Sequence, residues 1–139
     1  MTAVKDFETI GTRAFYRPVA EVTLEKAVDM IADAIKAARE QGLADIVVNS
    51  TGLTGFGPPS VFARYSFATK WVQSAGTALR VAIVARAELI DPQKIAMLMM
   101  QNRGTNSETF TNELDALRWL DQQRTTRTAG AQDRTHPED

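Results

Sequence analysis

Ile46-Val-Val-Asn-Ser-Thr-Gly-Leu-Thr-Gly-Phe-Gly-Pro-Pro-Ser60 is the stretch whose reading decides the fold. Its first three residues are apolar and β-branched, the pattern of a strand covered on both faces. Glycines at 52, 55 and 57 then allow the chain tight turns, and Pro58 with Pro59 predicts the opening of a helix that reaches about Ala75 and stops at Gly76. In open α/β sheets, ligands and partners are met at the carboxyl ends of strands. The loop after Asn49 is therefore the first candidate for function.

Working outward, residues 5–10 and 13–17 read as two short strands joined by Gly11-Thr12, which suits a type II′ hairpin turn. Thr23 is placed to cap a helix in which Leu24, Ala27, Val28, Ile31, Ile35 and Ala38 recur at helical spacing, with Gly42 as its stop. Downstream, residues 79–85 form a second buried strand. Asp91-Pro92 predicts the start of a helix ending at Gly104, and Thr109-Phe110-Thr111 a short last strand. Asn112 caps a final helix carrying Leu114, Leu117 and Leu120. Alternation at this rhythm predicts an α/β domain with a mixed, mostly parallel sheet of four to five strands, helices packed on it and right-handed crossovers. The domain is expected to span residues 1–124. From 125 to 139 apolar residues almost vanish, which predicts a disordered polar tail.

Composition narrows the function. The 16 basic and 17 acidic side chains nearly cancel and are interspersed, so no basic stripe for nucleic acid is expected. No apolar run approaches the ~20 residues of a spanning helix and no signal-peptide pattern opens the chain, which predicts no membrane insertion and a cytoplasmic location. There are no cysteines, which excludes disulfides and thiolate chemistry, and the one histidine is His136. Ser50 and Ser60 thus have no histidine or cysteine in the predicted core to activate or replace them. The glycine spacing is neither G-x-G-x-x-G nor G-x-x-x-x-G-K-[ST], and two prolines delete donors where an anion would sit. No cofactor, no metal and no enzymatic activity are expected.

The helix after the loop offers more. Val61, Tyr65, Ala68, Val72 and Ala75 form a stripe expected to face the sheet, and Ser60, Arg64, Phe67 and Trp71 form a second line beside it. Large aromatics next to an arginine have the composition of a protein-binding surface. The alternative is that a neighbouring helix covers Phe67 and Trp71. Met97, Met99 and Met100 read as core filling.

This pattern resembles the STAS domain, in its SpoIIAA-like branch of bacterial anti-sigma-factor antagonists, from about Lys5 to Gln123. The resemblance is sharpest over residues 47–60, where that family reads strand, acid, short loop, then Asp-Ser-Ser-Gly opening a helix. Laid over the motif, Asn49 falls on the strand-end acid, Gly57 on the second acid, Pro58 and Pro59 on the two serines, and Ser60 on the glycine. Arg103-Gly104, Phe110, Ala116 and Trp119-Leu120 look like the same branch. The resemblance implies the fold, and a protein partner such as an anti-sigma-factor-like regulator or a second copy of the chain. Both phosphorylatable serines are proline here, so the family's phospho-switch is not expected. The combined expectation is a non-enzymatic STAS-like regulatory or protein-interaction module using Asn49, Ser50, Phe56, Gly57, Ser60, Arg64, Phe67 and Trp71. The competing expectation is a small-molecule or lipid binder with a pocket under the 52–60 loop, lined by Phe56, Phe62 and Tyr65.

Overall fold

The computed structural model describes residues 4–134, and the side chains of residues 4–124. Strands β1 (Phe7–Ile10) and β2 (Arg13–Tyr16) form the expected hairpin, with Gly11 at φ +61 in its two-residue turn. A two-residue strand, β3 (Ala20–Glu21), follows, and then helix α1 (Leu24–Glu40). The Thr23 hydroxyl accepts the Lys26 N–H at 3.1 Å to cap α1. Beyond it come β4 (Asp45–Asn49), a 3₁₀ turn over Ser50–Gly52, β5 (Leu53–Thr54), α2 (Val61–Ala75) and β6 (Arg80–Val84). A second 3₁₀ turn (Ala87–Leu89) leads to α3 (Ile95–Asn102), β7 (Ser107–Phe110) and α4 (Glu113–Arg134).

The main sheet is mixed and five-stranded in the order β1-β2-β4-β6-β7. β1 runs antiparallel to β2, while β2–β4, β4–β6 and β6–β7 pair in parallel. β4 and β6 are buried through most of their length because helices cover both faces. On one face α1, α2 and α3 pack Ile31, Ile35, Phe67, Trp71 and Met100 against Ala14, Ile46, Val48, Val81 and Ile83. On the other, Ala116 and Leu120 of α4 close over Phe15, Val47, Ala82 and Val84. Leu114, expected to join that apolar face, is exposed.

At the amino ends of the strands Asp45 is fully buried (0% exposed) and gathers three arginines. Arg13 Nε donates to Oδ1 at 2.7 Å, Arg124 Nε to Oδ2 at 3.1 Å, and Arg80 Nη2 lies 3.6 Å from Oδ2. One carboxylate thus ties β2, β4, β6 and α4 together.

Several sequence expectations are corrected. Pro58 and Pro59 precede α2 instead of opening it. Proline disfavours a helical conformation in the residue before it, and Ser60, whose hydroxyl accepts the Ala63 N–H at 3.1 Å, is the true N-cap. Asp91 does not start α3 directly. Its carboxylate accepts the N–H groups of Gln93 and Ile95, and Lys94 takes a left-handed conformation (φ +53) before the helix begins. The last strand begins at Ser107, earlier than expected. Helix α4 is described as backbone as far as Arg134, and the rest of the expected tail, residues 135–139 with His136, lies outside the described residues.

The faces of α2 also differ from expectation. Val61 and Tyr65, assigned to the sheet, are exposed, whereas Phe67 and Trp71, assigned to a recognition line, are buried. Trp71 is 5% exposed, its ring lies 4.6 Å from that of Phe67, and its indole N–H donates to the Val28 carbonyl of α1 at 3.2 Å. Both sides of α2 carry apolar residues, and the larger rings take the space between α1 and the sheet. A neighbouring helix does cover them. Trp71→Ala is accordingly expected to destabilise the fold by ~3–5 kcal/mol through lost burial and a cavity, without a change in association. Denaturant midpoints and sedimentation of the variant check this; a near-neutral midpoint contradicts it.

Candidate functional site

The carboxyl ends of β4, β6 and β7 point to one edge of the domain, and there the chain leaves a cavity of about 100 Å³. Leu53, Phe56, Phe67, Trp71, Ile83 and Met97 give it an apolar lining. Ser50, Arg64, Asp91 and Lys94 are among the lining residues that carry polar groups. Leu53 and Trp71 are buried, Arg64 and Asp91 are half-buried and Lys94 is exposed, so the charges stand at the solvent side.

The roof is the loop from Ser50 to Ser60, and its path is fixed by backbone contact. β5 pairs in parallel with β3, Ala20 opposite Leu53 and Glu21 opposite Thr54, and Val22 N–H donates to the Thr54 carbonyl at 2.8 Å. A Cβ at Gly52 would stand 2.6 Å from the Pro18 carbonyl oxygen, and one at Gly55 would stand 2.5 Å from that of Val22. Gly55 also has φ +104, a region other residues rarely enter. Gly57 meets nothing within 4 Å. From sequence these three glycines share one expected role, tight turns into α2; close approach of two backbones is the reason at 52 and 55. Gly55→Ala is expected to lose at least ~2–3 kcal/mol of stability, from a strained dihedral and a clash with an immobile carbonyl, while Gly57→Ala should stay within ~0.5 kcal/mol. Thermal unfolding of the two variants side by side tests the difference.

Asn49 and Ser50 serve the architecture of this edge. The Asn49 carboxamide oxygen accepts from the N–H and hydroxyl of Thr51 at 3.1 and 2.6 Å, and its Nδ2 donates to Glu113 at 2.8 Å. Ser50 donates its hydroxyl to the Val84 carbonyl at 2.9 Å, pinning the end of β4 to that of β6. Glu113 is held by Arg17, which donates Nε and Nη2 at 2.9 Å each and stacks over the Phe15 ring. Hydrogen bonding from Arg17, and then from Asn49, holds the Glu113 carboxyl below its ordinary range, against the opposing effect of burial. A depressed carboxylate contributes stability that is complete above its unfolded pKa and lost as pH falls through the folded value. Glu113→Gln should therefore cost about 0.5–1 kcal/mol near neutrality, the pair being partly solvated. Wild type and variant should converge only in acid, once pH has fallen below the ordinary glutamate value of ~4.3 and through the lowered one. Denaturant unfolding at two pH values measures it, and an equal gap at both contradicts the pairing.

Of the residues singled out from sequence, Ser50, Phe56, Arg64, Phe67 and Trp71 are brought together at the cavity. Asn49, Gly57 and Ser60 are not; Asn49 organises the turn, Gly57 is exposed and Ser60 caps α2. Phe62 and Tyr65, expected to line a pocket, stand outside it on the surface. Leu89, Ile90, Asp91, Lys94 and Met97 were missed. Parallel adjacency of β4 and β6 was the available signal, because it puts the loops after both strands at the same edge. Among the described residues no group of acidic or histidine side chains is arranged to hold a metal ion, and no helix is long and apolar enough to cross a membrane. Comparison with protein-family models, with curated proteins and with solved structures finds no match.

Proposed function

We propose that the protein is a non-enzymatic binding module that takes a small apolar ligand in the cavity beneath the 50–60 loop. One observation carries this reading: an apolar cavity, walled by Phe67 and Trp71 and roofed by a backbone-clamped loop, lies at the strand carboxyl ends. That is where open α/β sheets meet their ligands. A preformed wall costs little to order on binding. The polar groups present support binding rather than bond making. The Ser50 hydroxyl is engaged by a backbone carbonyl, and the Asp91 carboxylate by the turn before α3. Titration with small neutral aromatics, followed by NMR, should shift the Trp71 indole N–H. Ala96→Leu, which adds bulk to the lining, should abolish the shift. Unchanged spectra in the wild-type protein would contradict the reading.

A second reading is favoured by a different feature. Val61, Phe62 and Tyr65 are 56%, 81% and 49% exposed on the first turns of α2, next to the loop. Such a cluster is the composition of an interaction surface. The resemblance to STAS regulatory modules read from the sequence points to the same kind of role. In this reading a protein partner, such as an anti-sigma-factor-like regulator, or a second copy meets the loop edge through Phe62 and Tyr65, not through Phe67 and Trp71. The two readings are compatible, since an occupied cavity would firm the loop beside that surface.

A further inference from the structure

We propose that the cavity selects a small hydrophobic monocarboxylate, with a single ring or short branched chain against Trp71, Phe67 and Leu53 and its carboxylate on Arg64. The inference rests on the reading of the cavity as a ligand site and names the chemistry that the site prefers.

The charged groups in the lining are differently committed. Both oxygens of Asp91 accept backbone N–H groups, from Gln93 and Ile95 at 3.0 Å each, so this carboxylate belongs to the turn that starts α3. Lys94 places its ammonium 3.0 Å from Glu108. Arg64 differs from both. Its Nη2 donates to the Leu89 carbonyl at 3.4 Å, a long bond to a neutral acceptor, and among the described residues no carboxylate lies within ion-pair distance of its guanidinium. Among the described residues the rest of the fork has no hydrogen-bond partner, and the residue is half-buried beside an apolar wall. A planar guanidinium in that setting matches a planar carboxylate in a bidentate pair, and partial desolvation strengthens the pair relative to one in water.

Charge and size restrict the ligand further. Asp91 lines the same cavity as Arg64, so a second negative charge on the ligand would meet repulsion at the mouth. That favours a monoanion over a phosphate dianion. An apolar protein cavity of ~150 Å³ holds benzene. The space here, about 100 Å³ and open on its charged side, fits an apolar body of up to one ring, partly inserted, with its carboxylate left at the mouth.

Benzoate and its neutral isostere benzamide separate the possibilities. Each is titrated into the full chain while NMR follows the Trp71 indole N–H, for wild type, Arg64→Gln, Arg64→Lys and Lys94→Gln. The expected result is benzoate binding at least tenfold tighter than benzamide. Arg64→Gln should lower benzoate affinity tenfold or more and leave benzamide unchanged. Arg64→Lys should fall between, because it keeps the charge and loses the fork, and Lys94→Gln should change affinity less than threefold. Equal affinity for the two probes, or full benzoate affinity in folded Arg64→Gln, overturns carboxylate selection and leaves the cavity as a neutral apolar site. Should Arg64→Gln not fold, the wild-type ratio of the two affinities decides alone. Binding of neither probe to the wild-type protein contradicts both the selection and the site.

Discussion

The backbone of residues 52–55 lies against that of residues 18–22, and the functional edge of the molecule depends on this contact. Carbonyl oxygens of Pro18 and Val22 occupy the space where side chains at Gly52 and Gly55 would begin. The short β3–β5 pairing then holds the loop after β4 to the segment that enters α1. Without that crossing the loop would be free to fall onto the sheet ends and fill the space beneath it. With it, Leu53 is carried fully into the interior while Phe56 lines the space beneath the loop, and a void remains. Glycine is the residue type that allows two backbones so close together.

The opposite edge is built on a different principle. Asp45, with Arg13, Arg80 and Arg124 around it, is a buried charge cluster in which strand β4 is bound to both neighbours and to α4. Burying such a group costs desolvation, which the short, well-directed bonds offset, and removing one partner would leave charge stranded. The amino ends of the strands are thereby locked by directional polar contacts. At the carboxyl ends, backbone pairing of β3 with β5 and the side-chain bonds of Ser50 and Asn49 hold the loop, and the space beneath it has a largely apolar lining. A rigid base under an unfilled edge is an arrangement suited to a binding site, since the scaffold and not the ligand bears the cost of order.

Much of this was legible in the residues. α1 declared itself because three signals agree, a Thr23 cap, an apolar stripe at helical spacing and Gly42 at φ +71 beyond the end. β4 and β6 were legible as buried strands for the same reason that they lie at the centre, unbroken apolar runs. The face of α2 was not, since Val61, Tyr65 and Val72 compete with Phe67 and Trp71 at similar spacing, and the contact that ties Trp71 to the Val28 carbonyl of α1 leaves no local mark. α3 was misplaced by a local competition that sequence reading sees as a single cap: Asp91 bonds two backbone N–H groups in a turn and delays the helix. The Asp45 cluster left no local mark, because its partners Arg13 and Arg124 are 32 and 79 residues away. Arg64 was singled out, but as part of a surface line; its place at a cavity mouth depends on the loop after β6, whose Asp91-Pro92 signal speaks of a helix start and not of a cavity.

In the folded protein the clamped loop holds an apolar void open. Diffraction from crystals pressurised with xenon tests it most directly, because xenon enters apolar cavities without needing polar partners. Xenon density enclosed by Leu53, Trp71 and Ile83 is the expected result. Density for those side chains packed together, with no xenon between them, would contradict it.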